Sequence, residues 1–282
     1  MSMFTAILRP KDKKTPIKAV LCYCHGYSAT VSFWRRVEFQ RHVEAGIAVI
    51  FFEYEGHGRS DGMLGLFSNF HNLVKDSSQF FEYAIKKHFP DKKSFLVGSS
   101  LGGAVAMATY MEKPSLWGGV VFICPMCRFS EKMMPSPILL WLLRFFCGPP
   151  GSKVNFFGLL PFTPTSGIKY SFKVPYHKLL VDMAPNITGR KMRLASAREM
   201  LAGTAYVSTK VKEFDAPFLI LHGKADKVIG PEVSVGFYEE SPSKDKEIKL
   251  YEGMWHNITA GETQENIDMV HSDVIEWILA RA

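Results

Sequence analysis

The chain has 282 residues, of which 47% are hydrophobic and 22% charged, so it can form one large globular domain or two small ones. Its net charge of +7 (34 basic minus 27 acidic residues) comes from scattered residues without a nucleic-acid-binding motif, so we predict no nucleic-acid partner. The N-terminal segment lacks an apolar signal-peptide core and no stretch approaches about 18 uninterrupted apolar residues, which argues against a secretory signal and a membrane-spanning helix.

Short apolar runs, each ended by glycine, proline or a polar turn, predict strands that are buried on both faces. In chain order these runs are 19–26, 46–56, 94–99, 118–125 and 216–223, with a final strand predicted at 247–253. Amphipathic helical patterns at 68–88 and 264–280 alternate with them. This alternation predicts a doubly wound α/β fold, in which a mostly parallel sheet has helices on both faces.

The segment 128–211 breaks this alternation. It is rich in Pro, Met, Phe and Leu, shows no clear strand pattern, and lies between two predicted core strands. We therefore predict a core formed by 1–127 and 212–282 with a helical cap (lid) inserted at 128–211, although the insertion could instead add two core helices. The apolar run 138–146 within it is either an ordinary buried helix or an acyl channel and membrane-facing lip.

The five cysteines are an odd number, and four of them lie in apolar, strand-like runs. Cys124 and Cys127 form a C-x-x-C motif, but no second pair follows at a zinc spacing. We interpret the cysteines as buried, reduced thiols of a cytoplasmic protein and predict no metal site.

A candidate nucleophile lies in the motif G-x-S-x-G, which places Ser100 between Gly98 and Gly102. A predicted strand precedes the motif and a helix of small residues follows it, which is the context of a strained strand-to-helix turn that exposes a serine hydroxyl. The two glycines would relieve crowding around that turn. The helix N-terminus would favour the negative charge that develops during acyl transfer.

A serine hydroxyl needs a base, and in this architecture the acid and then the histidine follow the serine in the chain. His256 follows the last predicted strand and is the candidate base, whereas His271 lies on the amphipathic C-terminal helix. Asp226 follows the strand 216–223 and is the candidate acid that would orient the imidazole. Asp215 precedes that strand and would lie at the wrong end of it, and Asp245 belongs to a charged loop.

The oxyanion of an acyl-transfer intermediate needs two hydrogen-bond donors. The first candidate is the backbone N–H of Leu101, which follows the nucleophile. The second is the backbone N–H of Tyr27, which lies in the loop after an early strand. His25 in the same loop is interpreted as an orienting or structural residue.

These residues lie in segments that resemble the monoacylglycerol lipase and lysophospholipase-like branch of the α/β-hydrolase superfamily. The segments are "HGYSA" (25–29), "YEGHGRSDG" (54–62), "FLVGSSLGGAVA" (95–106), "GGVVFICPMC" (118–127), "HGKADKV" (222–228), 233–256 and 261–281. "CPMCRFSEKMMP" and "TGRKMRLAS" (188–196) resemble cap segments of the plant-type members, which include caffeoylshikimate esterases. The resemblance runs from about Phe4 to Arg281.

The resemblance implies that Ser100 is the nucleophile, Asp226 the acid and His256 the base, with Tyr27 and Leu101 as oxyanion donors. It also implies ester hydrolysis without a metal or cofactor. The family usually has a polar or acidic residue before the serine and methionine after it, whereas Ser99 and Leu101 stand here; the contact of Leu101 is a backbone one. In this superfamily "GHGRSDG" is mostly a structural turn, so His57 and Arg59 in it are not catalytic candidates.

The predicted function is therefore hydrolysis of carboxylic esters of lipids, as in a monoacylglycerol lipase or lysophospholipase. The predicted partners are a lipid ester substrate and a membrane surface touched by the cap. Two alternatives remain open at this point: an esterase or acyltransferase for small acyl esters, and a ligand-binding protein that retains the triad but turns over slowly.

Overall fold

The computed structural model of the chain describes residues 1–12, 14–31, 35–129, 136–161, 170–184 and 192–282. Its strands are β1 (Thr5–Leu8), β2 (Ala19–Cys24), β3 (Ile47–Phe52), β4 (Ser94–Ser99), β5 (Val120–Ile123), β6 (Phe218–Gly223) and β7 (Lys246–Tyr251). They form a seven-stranded sheet in the order β1-β3-β2-β4-β5-β6-β7. Strand β1 is antiparallel to β3, and the remaining neighbours are parallel. The mostly parallel α/β architecture predicted from the sequence is confirmed.

The helices of the described residues lie between and after these strands. They are α1 (Arg35–Glu38), α2 (Gln40–Glu44), α3 (Phe70–His88), α4 (Leu101–Glu112), α5 (Pro137–Cys147), α6 (Pro175–Met183), α7 (Leu194–Lys210), α8 (Pro231–Glu240) and α9 (Gln264–Leu279). Short 3₁₀ turns occur at Pro114–Leu116, Phe157–Leu159 and Val211–Glu213. Among the described residues, no helix has both the length and the apolarity needed to cross a bilayer.

The sheet is buried on both faces because successive side chains of a strand point to opposite sides. In β2, Val20, Cys22 and Cys24 pack into one apolar cluster with residues of α3 and α4. Leu21 and Tyr23 of the same strand pack into a second cluster with residues of α2 and α9. All six residues of β2 are buried, so the continuous apolar run reflects a central strand covered by two helical layers.

Strand β1 was not predicted. Its four residues are mostly only partly buried, and it pairs with the edge of the sheet in an antiparallel register, from Thr5 opposite Phe52 to Leu8 opposite Val49. A four-residue edge strand carries too short an alternation to be distinguished from a loop in the sequence.

The chain between β5 and β6 contributes α5, α6 and α7, and part of the predicted cap (130–135, 162–169 and 185–191) lies outside the described residues. Helix α7 connects this region to the core through buried polar side chains. Arg198 and Glu199 form an ion pair in which both side chains are 2% exposed. Arg198 also donates to the carbonyl of Cys147 at the end of α5, while Glu199 accepts from the backbone N–H of Phe70 at the start of α3. The end of α5 is thereby fixed to the core.

Candidate active site

Ser100 lies in the turn that joins β4 to α4, with backbone angles φ 53° and ψ −117°. This is a costly conformation for a residue with a side chain. A side chain at Gly98 would collide with the backbone of Gly102, and one at Gly102 would collide with the carbonyls of Cys24 and His25. The two glycines of the motif are thus required by the packing of the turn, as expected from the sequence.

The loop after β2 lies directly against this turn. A Cβ atom built on Gly26 would be 3.3 Å from the Cβ atom of Ser100. His25, which is fully buried, fixes this loop: its Nε2 accepts from the backbone N–H of Tyr54 (3.1 Å), so its Nδ1 carries the proton and donates to the carbonyl of Gly26 (2.8 Å). His25 therefore orients the loop, as proposed from the sequence.

The two candidate oxyanion donors lie on this loop and on the first residue of α4. Neither the N–H of Tyr27 nor that of Leu101 donates to a backbone carbonyl of the described residues outside the regular helices and strands. The Tyr27 hydroxyl donates to the carbonyl of Gly65 (2.8 Å), which holds the residue in place. Two amides beside the Ser100 turn, one of them at a helix N-terminus, suit a developing oxyanion.

Asp226 follows β6 at the carboxyl edge of the sheet and its side chain is fully buried. Its Oδ1 accepts from the backbone N–H groups of Val228 (2.7 Å) and Ile229 (3.0 Å). Burial by itself would raise the pKa of the carboxyl, but the charge of His256 and hydrogen bonds from His222 and His256 hold that pKa well below its ordinary value. Asp226 is therefore a buried carboxylate with every lone pair directed to a donor.

His256 lies in the loop after β7, and its Nδ1 is 2.6 Å from Oδ2 of Asp226. The end of β5 lies between this pair and Ser100. The N–H of Ser100 donates to the carbonyl of Ile123, the last residue of β5. The sulfur of the next residue, Cys124, lies within 4.8 Å of the donor atoms of both Asp226 and His256. No hydrogen bond joins Ser100 to His256 in the described part of the chain, and such bonds are often long without substrate and tighten when it binds.

The other acids and histidines considered in the sequence lie elsewhere. Asp215 is exposed before the start of β6, at the edge opposite to Asp226. Asp245 forms an ion pair with Arg281 at 2.6 Å. His271 is buried on α9, where its Nε2 lies 3.2 Å from the carbonyl of Thr259 and its ring packs edge-on against His42.

Residues of the "GHGRSDG" segment (56–62) form a turn around the buried carboxylate of Glu53. Glu53 accepts from the backbone N–H of Val31 (2.7 Å) and that of Arg59 (2.7 Å). Because Val31 lies in the loop that also carries Tyr27, this carboxylate joins the turn to the candidate oxyanion loop. The arrangement is structural, in agreement with the interpretation of His57 and Arg59.

Two neighbours of Asp226 were not predicted from the sequence. His222 lies on β6, where its Nε2 is 3.1 Å from Asp226 Oδ2 and 2.9 Å from the carbonyl of Ile229. Cys124 adopts a positive φ of 43°, and burial, then the charge of Asp226, raises the pKa of its thiol well above the ordinary value, so the thiol stays protonated. The sequence signal for the contact of His222 with Asp226 was their four-residue spacing, and the contact of Cys124 with Asp226 had none.

The donor atoms of Cys124, Asp226 and His256 lie within 4.8 Å of one another, which is the one such grouping among the described residues. Asp226 and His256 are already hydrogen-bonded at 2.6 Å. Two ligand atoms bound to the same tetrahedral metal ion, with bonds near 2.0–2.3 Å, would lie farther apart than this separation. We therefore interpret the cluster as a hydrogen-bonded acid and base rather than as a metal centre.

Comparisons with known proteins agree with this fold. The chain is 30% identical over 278 residues to caffeoylshikimate esterase of Arabidopsis thaliana, covering 98% of this chain and 81% of that protein. It is 28% identical over 276 residues to monoglyceride lipase of Mus musculus, covering 96% and 85%. The crystal structure of Paleococcus ferrophilus monoacylglycerol lipase superimposes with a TM-score of 0.81 at 23% identity, covering all of both chains, and this likeness shows the fold.

The mostly parallel sheet and the similarity to these esterases and lipases together define the chain as a serine ester hydrolase of the α/β-hydrolase superfamily. More specifically, it belongs to the family described as "Serine aminopeptidase, S33", whose model matches residues 15–264.

Proposed function

We propose that this enzyme hydrolyses monoacylglycerols or lysophospholipids through an acyl-enzyme formed on Ser100. The observation that carries the lipid assignment is an exposed apolar surface on the region between β5 and β6. The relatives named monoglyceride lipase support it. The buried acid–base pair of Asp226 and His256, on the same sheet edge as the strained Ser100 turn, supports the chemistry.

In the first half-reaction, Nε2 of His256 takes the proton of the Ser100 hydroxyl as the oxygen attacks the ester carbonyl. The resulting oxyanion accepts hydrogen bonds from the N–H groups of Tyr27 and Leu101. Asp226 keeps the proton of His256 on Nδ1 and stabilises the imidazolium. His256 then donates its Nε2 proton to the leaving alcohol, and the acyl group remains on Ser100.

In the second half-reaction, His256 takes a proton from water, whose oxygen attacks the acyl carbon of the ester on Ser100. The second tetrahedral intermediate uses the same two amide donors. Its collapse releases the fatty acid and returns the proton to Ser100, so no group beyond the protein and water is consumed.

The substrate class is tested by kcat/KM for monoacylglycerols, lysophospholipids and short-chain esters. We expect long-chain monoacylglycerols or lysophospholipids to exceed the matching short-chain esters by about ten-fold or more, because added buried methylene groups each contribute about 0.8 kcal/mol. A phenolic acyl ester belongs in the panel, since one relative is named caffeoylshikimate esterase. A preference for that ester or for short chains would replace the lipid assignment with a small-ester esterase.

The exposed apolar surface, here called the cap surface, consists of α5 and the following 3₁₀ turn. Its exposed apolar side chains are Ile138, Leu139, Trp141, Leu142, Phe145, Phe146, Phe156, Phe157 and Leu160. The rings of Trp141 and Phe145 stack at 5.3 Å, and Phe146 contacts Phe157 at 5.2 Å, so the side chains form a continuous patch. Of the described residues of α5, only Cys147 is buried, which favours the membrane-facing lip over the ordinary buried helix for 138–146.

We propose that the cap surface rests on a membrane while the catalytic residues receive a single acyl chain. Aromatic and aliphatic side chains on one helix, without an acidic residue, favour insertion at the interface between headgroups and acyl chains. The net charge of +7 would add an attraction to anionic lipids that weakens as salt shortens the Debye length. The reduced state of five buried cysteines fits a cytoplasmic enzyme that binds membranes reversibly.

A double variant, Trp141→Ser with Phe145→Ser, tests this contact. These side chains are 60% and 67% exposed, so their removal is expected to leave the fold intact. We expect the activity of this variant on monoacylglycerol in anionic vesicles to fall about ten-fold, and its activity on a soluble short ester to stay unchanged. At high salt, less of the variant than of the wild-type protein should float with the vesicles, because only the apolar contact holds it there.

The matched control is Tyr83→Ser with Met269→Ser, which removes side chains of 57% and 47% exposure from α3 and α9. We expect this control to keep both activities and vesicle binding. Equal losses on vesicle and soluble substrates in the cap variant, with no flotation of the wild-type protein at any salt, would contradict the membrane contact and leave the esterase chemistry standing.

A further inference from the structure

A lysine lies over two aromatic rings beside the catalytic loops. The Nζ atom of Lys227 is 5.5 Å from the ring centroid of Tyr170 and 6.0 Å from that of Trp255. The two rings are themselves 6.4 Å apart. Lys227 directly follows Asp226, and Trp255 directly precedes His256, so this cluster adjoins both the candidate acid and the candidate base.

The protein backbone holds the parts of the cluster together. The N–H of Ala225, in the loop of the acid, donates to the carbonyl of Met254 in the loop of the base (2.9 Å). The N–H of Trp255 donates to the buried carboxylate of Glu262 (2.7 Å). The chain next to Tyr170 is joined to the base loop through the carbonyl of Ser171, which accepts from the N–H of Asn257 (3.0 Å). The rings are therefore presented by a fixed framework.

Lys227 differs from the lysines around it in its partners. Lys224 forms an ion pair with Glu252, and Lys173 donates to the carbonyl of Gly253 at 2.9 Å. Lys227 is exposed, and no carboxylate of the described residues pairs with it. The ring faces attract the ammonium and restrain it, but they leave its charge unneutralised.

The proposed mechanism indicates which half of the ester, the alcohol or the acyl chain, lies beside this lysine. His256 must protonate the leaving oxygen, so the alcohol half of the ester leaves next to His256. Because Lys227 and Trp255 are the chain neighbours of this acid and this base, we place them beside that half rather than beside the acyl chain. An ammonium at this place attracts an anionic group on the alcohol and contributes little to binding a neutral one.

We propose that Lys227, held by Tyr170 and Trp255, forms a subsite for an anionic group, a phosphate or a carboxylate, on the leaving alcohol. This inference rests on the proposed ester-hydrolase function. Lys227 determines specificity in it and takes no part in the bond-forming steps.

Three esters with the same octanoyl chain test the subsite below their critical micelle concentrations: octanoylglycerol, octanoylglycerol phosphate and octanoylglycerate. For Lys227→Gln we expect kcat/KM to fall about five-fold on the two charged esters, mainly through KM, and to stay unchanged on the neutral ester, because one exposed charge contributes only a modest interaction. A loss on only one charged ester identifies its anion, phosphate or carboxylate, as the preferred group. The loss should shrink in high salt because the charge interaction is screened.

Lys224→Gln is the matched control, since it removes a neighbouring lysine whose charge is already paired. For this control we expect kcat/KM on each of the three esters to change by much less than the loss expected for Lys227→Gln. A Lys227→Gln variant that changes all three esters equally, or none, overturns the subsite. A wild-type enzyme that hydrolyses none of the esters overturns the proposed function itself, so the two failures are distinguishable.

Discussion

Replacing Ser100 with alanine is expected to lower kcat by about 10⁴-fold or more while leaving the protein folded. The hydroxyl is the group that would form the acyl-enzyme, and no other described side chain occupies the strained turn between β4 and α4. Alanine has the same Cβ atom as serine, so the packing around Gly26 and the turn is retained. The measurement is kcat on the best ester of the panel, with thermal unfolding as the check on folding.

Ser99→Ala is the control for this variant. Ser99 is the last residue of β4 and pairs with Ile123 in the sheet, so its side chain does not share the position of the Ser100 hydroxyl. We expect Ser99→Ala to retain most of the activity and to be labelled by a fluorophosphonate probe, and Ser100→Ala to be unlabelled. Labelling of Ser100→Ala to the wild-type extent would show that another residue is the nucleophile.

Asp226→Asn is expected to lower kcat by up to about 10⁴-fold because it reverses the tautomer of His256. The N–H groups of Val228 and Ile229 both donate to Oδ1, so the asparagine oxygen must take that position. The NH₂ group then faces Nδ1 of His256 and donates to it. The imidazole proton moves to Nε2, which can no longer accept the proton of Ser100.

Asp215→Asn is the matched control, since it makes the same chemical change on an exposed carboxylate before β6. We expect nearly wild-type kcat for it. The variant Asp226→Asn should still unfold cooperatively, although His222 loses one acceptor and keeps the carbonyl of Ile229. If Asp215→Asn lost the activity and Asp226→Asn kept it, the assignment of the acid would be wrong.

Much of the fold was predictable because its strands and helices have local patterns of apolar residues. The strands β2 and β4, predicted at 19–26 and 94–99, are buried at every or nearly every position, since both are central strands covered on both faces. The helical pattern at 68–88 matches α3 to within two residues because its apolar stripe repeats with the helix period. Strand β1 could not be recognised, because a short, half-buried edge strand has almost no pattern of its own.

The candidate site was predictable to a different degree at each residue. The position of Ser100 is set by neighbours in the chain, since Gly98 and Gly102 are the residues that let the turn close. Asp226 and His256 were inferred from the rule that the carboxyl ends of parallel strands meet at one edge of the sheet, which gives a loop but no contact. The contacts of Cys124 and His222 with Asp226 lie at the ends of two strands, β5 and β6, and the sequence carried no sign of them beyond one four-residue spacing.

The alternation of strands and helices, the serine between two glycines and the chain order of the candidate nucleophile, acid and base could all be read from the amino-acid sequence. The exposure of the apolar side chains of α5, and the contact of Lys227 with the rings of Tyr170 and Trp255, became visible once the packed chain was seen. The physical reason is that burial and pairing depend on which distant segments pack together. An apolar helix has the same sequence pattern whether protein, lipid or water covers it, and a lysine looks alike whether or not a carboxylate from another loop neutralises it.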